Sequence, residues 1–91
     1  MDKTVDITRW NSILTANEAE RVRDKAARIR WGFSRASLEK EICRFESGTV
    51  KTKAKVFYLL EDCNYHDVAS ALADYDVARA RDIADRIFSG F

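Results

Sequence analysis

The sequence predicts an all-α protein, folded as a compact bundle of five or six short helices. The 91 residues include no proline and only three glycines, so few positions interrupt a helix. Apolar residues recur at spacings of three and four, and no stretch alternates apolar and polar residues as a half-buried strand would. A chain of this length has room for one hydrophobic core, so we expect residues 1–91 to form one domain.

Two helices are predicted in the first third of the chain. The first covers residues 4–14, with Asp6 as its N-cap. Its apolar face consists of Ile7, Trp10 and Leu14. The next helix is expected to run to about Phe33, because Thr15 and Glu18 have the spacing of a capping box. Its apolar stripe consists of Ala19, Val22, Ala26, Ile29 and Phe33.

The middle of the chain predicts two further helices. Ser34 or Ser37 begins the first of them, and Gly48 stands at its C′ position. Leu38, Ile42 and Phe45 form its apolar stripe. Thr49 then caps a helix over about residues 50–62, which is apolar nearly all round in its second half. A helix of that kind is central, so we expect it to form the core.

The last third predicts a short helix over residues 65–73 and a longer one capped by Asp74. The apolar stripe of the longer helix consists of Val77, Ala80, Ile83, Ala84, Ile87 and Phe88. Asp82 and Arg86 are four residues apart, which predicts an ion pair along this helix.

Composition argues against several classes of function. Cys43 and Cys63 are not in a CxxC motif, and His66 is the sole histidine, so we expect no metal, no cofactor and no catalytic site. Both cysteines are predicted to be buried thiols, with a disulfide between them as the alternative. No apolar run reaches the roughly 20 residues that cross a membrane, and residues 1–6 do not resemble a signal peptide. We therefore expect no membrane contact and a cytoplasmic protein, in a host cytoplasm if it is of phage origin.

Charge is segregated although the net charge is only +1. Residues 21–35 contain six arginines and lysines with one aspartate, whereas residues 61–76 contain five carboxylates and no arginine or lysine. At about 100° per residue, three cations of the second helix lie within about 60° of one another, opposite its apolar stripe. They are Arg21, Lys25 and Arg28. Arg35 would extend this row if the helix continued.

Trp31 lies about 160° from the centre of the same stripe, where either a neighbouring segment covers it or a partner does. We therefore predict a partner-binding site. It consists of Arg21, Lys25, Arg28, Trp31 and Arg35.

The leading hypothesis is a non-enzymatic protein-binding module that docks on the acidic surface of a larger partner. A small inhibitor or regulator, of the size common in bacteriophages and mobile elements, would act in this way. The first alternative is binding of a nucleic-acid backbone by the same face together with Lys51, Lys53 and Lys55. The second is a homo-oligomer in which the basic segment meets the acidic segment of another copy. A helix-turn-helix over residues 66–88 is weaker, because aspartates stand where its recognition helix would approach DNA.

Overall fold

Five α-helices run through residues 13–89, the part of the chain that the computed structural model describes, apart from the side chain of Trp31. They are α1 (Ala16–Ile29), α2 (Arg35–Ser47), α3 (Val50–Asp62), α4 (His66–Ala73) and α5 (Val77–Ser89). A short 3-10 turn, Arg30–Gly32, follows α1. No strand occurs within the described residues, and the predicted all-α bundle is confirmed. The helix predicted over residues 4–14, including Asp6, Ile7 and Trp10, falls almost entirely outside them.

The helix α3 is the centre of the bundle, as predicted. It is buried on most of its circumference, and α1, α2 and α4 all pack against it. Its buried side chains are Ala54, Val56, Phe57, Leu59 and Leu60. The helix α5 closes the bundle by packing on α2 and α4. The Asp82–Arg86 ion pair forms on its surface at 2.7 Å, as predicted, whereas Ile87 of the predicted stripe is exposed.

Side-chain caps begin the first three helices. The capping box of α1 is confirmed, because the Thr15 amide donates to Glu18 Oε1 at 2.9 Å and the Glu18 amide donates to Thr15 Oγ1 at 3.1 Å. Ser34 is the cap of α2, since its Oγ accepts the Ser37 amide. Thr49 caps α3, as predicted.

The helix α1 ends earlier than predicted, at Ile29 rather than Phe33. Phe33 and Ser34 are both extended, with ψ of 128° and 171°. An N-cap residue must leave the helical conformation, so the start of α2 forces the preceding chain out of the helix. Phe33 packs edge-to-face on Tyr65 with ring centroids 4.9 Å apart. Arg35 consequently belongs to α2 and does not extend the row of cations on α1.

The boundary between α4 and α5 also differs from the prediction. Asp74 does not cap α5; it is the C-cap of α4. Tyr75 follows in the left-handed region at φ 58°, and Asp76 caps α5 by accepting the Arg79 amide at 3.0 Å. Asp74 and Tyr75 form the turn that reverses the chain between α4 and α5. The N-cap of α5 is therefore Asp76, two residues later than predicted. Tyr65 precedes α4 rather than starting it.

The two cysteines are both free, and they differ in exposure. Cys63 is buried, as predicted, and its thiol donates to the Ala26 carbonyl oxygen at 3.8 Å. Burial raises the pKa of this thiol above its ordinary value. The prediction that Cys43 is buried is wrong, because it lies off the stripe that α2 turns to the core. Its thiol lies 3.3 Å from Glu39 Oε2.

Gly48 connects α2 and α3 where the chain passes very close to itself. It is the C-cap of α2 in an extended conformation, with φ −90°, rather than a left-handed C′ residue. A Cβ atom here would lie 2.5 Å from the Arg44 carbonyl oxygen and 2.6 Å from Thr52 Cγ2. Only glycine fits without a shift of the backbone.

Replacing Gly48 with alanine should therefore lower the free energy of unfolding by about 1–3 kcal/mol, measured by urea denaturation. Gly32→Ala is the matched control, because a Cβ atom at Gly32 meets nothing within 4 Å. An equal loss of stability in both variants would contradict the close approach at Gly48.

Candidate functional site

A small pocket between α1 and α3 brings together cations from three helices. We call it the cationic pocket; its volume is about 160 Å³. Arg21 and Lys25 reach it from α1, where they are one turn apart, and Lys55 reaches it from α3. Arg44 completes it from α2. The packing of α1 and α2 on α3 is what assembles residues so distant in sequence.

The rest of the cationic pocket is apolar apart from one carboxylate. Val22 and Leu59 are buried and form its apolar wall. The carboxylate is that of Glu18, which lies 3.0 Å from Lys51 Nζ and accepts the Thr15 amide. The hydrogen bond from Thr15, and next the contact with Lys51, lower the pKa of Glu18 to about 2. Glu18 is thus ionised at neutral pH, and Lys51 balances its charge.

A larger groove of about 580 Å³ adjoins the cationic pocket. We call it the wide groove; it lies between the end of α1 and α2. Arg28 and Lys40 line it, together with the partly buried apolar side chains of Ile29 and Phe33. The wide groove shares Lys25 and Arg44 with the cationic pocket, so the two concavities form one continuous surface.

Glu41 lines the wide groove and contacts both cations that the two concavities share. Its side chain is only 7% exposed, and each of its oxygens contacts a different cation. Lys25 Nζ lies 3.6 Å from Oε2, and Arg44 Nη1 lies 2.7 Å from Oε1. A buried carboxylate requires such partners, since an unpaired buried charge is strongly unfavourable. Glu41 therefore holds a cation of α1 and a cation of α2 at fixed positions.

Six cations make up this surface, which we call the basic face. They are Arg21, Lys25, Arg28, Lys40, Arg44 and Lys55. Four of them, all except Lys25 and Arg44, form no ion pair with any residue between 13 and 89. The two carboxylates that line the face are both paired, Glu18 with Lys51 and Glu41 with Lys25 and Arg44. The face therefore carries a large excess of positive charge.

No family model, curated protein or solved structure matches this chain. The described helices include none that is both long and apolar enough to cross a membrane. Likewise, no three His, Cys, Asp or Glu side chains of the described part are grouped as ligands for a metal ion.

The structure brings together some of the predicted site residues and separates others. Arg21, Lys25 and Arg28 do share one surface, and Lys55 joins them there. This surface borders the apolar stripe of α1 at Val22 and Ile29, so the prediction that it lies opposite the stripe is wrong. Arg35 lies elsewhere, 2.7 Å from Asp85 and 3.3 Å from Glu39. The side chain of Trp31 falls outside the described residues.

Two of the predicted lysines are committed to contacts within the protein. Lys51 pairs with Glu18, as described above. Lys53 donates to the Gly48 carbonyl oxygen at 2.8 Å and lies 5.4 Å from the centroid of the Phe45 ring. Lys53 therefore stabilises the junction of α2 and α3 instead of contributing a free charge.

Sequence reasoning missed Lys40 and Arg44. They are four residues apart on α2, so they share a face of that helix, and this spacing was the available signal. The spacing does not show that packing on α3 brings this face of α2 next to α1.

The arginines of α5 all pair with carboxylates of this chain. Asp74 and Asp76 lie 3.2 and 3.8 Å from Arg79. Arg81 pairs with Glu39 and Glu46 of α2, at 2.9 and 3.2 Å. Together with the Asp82–Arg86 pair, these contacts engage all the arginines that a recognition helix at α5 would use.

The pairing of Glu18 predicts a pH dependence of stability. Its pKa in the folded state, about 2, lies below its ordinary value of 4.5. Its contribution is therefore complete above about pH 4.5 and is lost as the pH falls toward 2. An NMR titration should give Glu18 a pKa near 2, and Lys51→Met should raise that pKa while Thr15 keeps it below 4.5.

The matching control is Glu18→Gln, whose stability should fall less than that of the parent between pH 4.5 and 2. A Glu18 pKa near 4.5, unchanged by Lys51→Met, would contradict both contacts.

Proposed function

We propose that this protein is a non-enzymatic binding module that holds an acidic segment of a partner protein on its basic face. The observation that supports this most is the assembly, around two adjoining concavities, of four cations that form no ion pair with any residue from 13 to 89. Like charges held close together repel one another, and an anionic ligand removes that repulsion. Arginine is particularly suited to the task because its planar guanidinium makes paired hydrogen bonds to a carboxylate.

The shape of the basic face favours a protein segment as its ligand. Concave sites that combine apolar walls with a few polar groups suit side chains that insert into them. Val22 and Leu59 supply such a wall in the cationic pocket, and Ile29 and Phe33 supply one in the wide groove. An acidic residue with an apolar neighbour would use both features. Docking of this kind fits a small inhibitor or regulator that covers an acidic surface.

Nucleic-acid binding is the second candidate, and the continuity of the basic face over three helices favours it. The charge of the whole molecule argues against nucleic-acid binding. The net charge is +1 and the sequence pI is about 7.8, whereas nucleic-acid-binding domains usually have a pI above about 9. Carboxylates elsewhere on the surface would oppose the approach of a polyanion.

A homo-oligomer based on opposite charges is less favoured than either. Asp74 and Asp76 of the acidic segment already pair with Arg79 of the same chain. Exposed pairs of this kind contribute little energy, but they reduce the charge that a second copy would meet.

The proposal is tested by selecting binders from a library of random displayed peptides. We expect enrichment of sequences rich in aspartate and glutamate with an apolar neighbour. The double variant Arg21→Glu/Lys55→Glu should weaken binding of a selected peptide by at least about tenfold, as expected when charge pairs at an interface are lost. Fluorescence anisotropy measures the affinities.

Arg23→Glu is the control. Arg23 is exposed on α1 about 160° from Arg21, so Arg23→Glu places on another face the same charge change as Arg21→Glu alone, which is half that of the double variant and is measured beside it. Its affinity for the peptide should stay within about twofold of the parent. Selected peptides without acidic residues would contradict the proposal. So would tight binding to a DNA or RNA duplex with a steep fall in affinity as salt rises, which would support the second candidate.

A further inference from the structure

We propose that the basic face binds two separate anionic side chains of one acidic segment, one in the cationic pocket and one in the wide groove. This inference rests on the proposed function and specifies the chemistry of the partner. It requires that the two concavities act as distinct subsites, although they share two cations.

Glu41 neutralises the two cations that the subsites share. Its carboxylate lies between Lys25 and Arg44 and uses one oxygen for each. Lys25 and Arg44 are therefore the less favourable positions for a ligand anion, because Glu41 already compensates their charge and would repel a second anion. The positions left for anions are on either side, beside Arg21 and Lys55 or beside Arg28 and Lys40.

Each side retains a pair of cations that Glu41 does not neutralise. No residue from 13 to 89 forms an ion pair with any of these four, so both sides can accept a carboxylate without breaking a contact within that range. One carboxylate on one side would leave the cations of the other side uncompensated. A segment with two carboxylates compensates both.

The two subsites differ in size, which gives the bound segment a direction. The cationic pocket is about 160 Å³ and the wide groove about 580 Å³. Ile29 and Phe33 line only the wide groove. We expect the smaller subsite to take an acidic side chain alone and the larger to take an acidic residue next to a bulky apolar one.

The test uses synthetic peptides that carry two glutamates separated by one to six residues, with leucine beside one of them. Two protein variants address one subsite each: Arg21→Gln/Lys55→Gln for the cationic pocket and Arg28→Gln/Lys40→Gln for the wide groove. Each glutamate of the best-binding peptide is also replaced in turn by glutamine. Anisotropy then gives the affinity of every combination of protein and peptide.

We expect each protein variant to bind the parent peptide at least about tenfold more weakly. The comparison changes for the peptide in which glutamine replaces the glutamate that occupies the altered subsite. The variant should bind this peptide no more than about twofold more weakly than the parent protein binds it. The groove variant should couple to the glutamate next to leucine, and the pocket variant to the other. Circular dichroism checks that both variants fold, and their exposed or partly exposed positions make this the expected result.

Coupling of both variants to the same glutamate, or parent-like binding by the groove variant, would overturn the two-subsite inference while leaving the proposed function standing. Failure of every acidic peptide to bind the parent protein would overturn both.

Discussion

The packing of α1 and α2 against opposite parts of α3 is the constraint on which the fold and the candidate site both depend. Val22 and Ala26 of α1 form one buried cluster with Leu59 and Cys63. The stripe of α2 belongs to the main cluster, which also includes Ala54, Phe57 and Leu60 of α3. Burial at about 25 cal/mol per Å² of apolar surface stabilises both contacts. Their geometry leaves the cationic pocket where the three helices meet and the wide groove between the end of α1 and α2.

Glu41 contributes organisation more than stability. Desolvation offsets much of the attraction in a buried ion pair, so such pairs are weak evidence for a stable fold. What Glu41 provides is a fixed point between α1 and α2, because Lys25 and Arg44 must stay near it to neutralise its charge. The remaining cations are then arranged around an anion that belongs to the protein. A ligand of the proposed kind would therefore meet cations whose arrangement Glu41 helps to fix.

Local signals in the sequence predicted much of the fold. Thr15 and Thr49 mark helix starts through hydrogen bonds to residues three positions later, and such contacts depend only on nearby residues. The end of α1 was not predictable in this way. It depends on the extended backbone that Phe33 and Ser34 need, and Phe33 also packs on Tyr65, which directly precedes α4.

The candidate site was predicted only along single helices. Helical periodicity placed Arg21, Lys25 and Arg28 together, because they belong to one element. The approach of Lys55 and Arg44 depends on tertiary packing, for which a single sequence contains no signal. Glu41 looks like an ordinary surface glutamate in the sequence, and only its burial between two cations reveals its role.

The central claim is that cations of three helices form one binding surface in the folded protein. The most direct measurement is a two-dimensional amide NMR titration of the protein with a selected acidic peptide. We expect shift changes clustered at residues 21–28 of α1, 40–44 of α2 and 55–59 of α3, with α5 unaffected. Shift changes confined to α5, or spread evenly over the described helices, would contradict it.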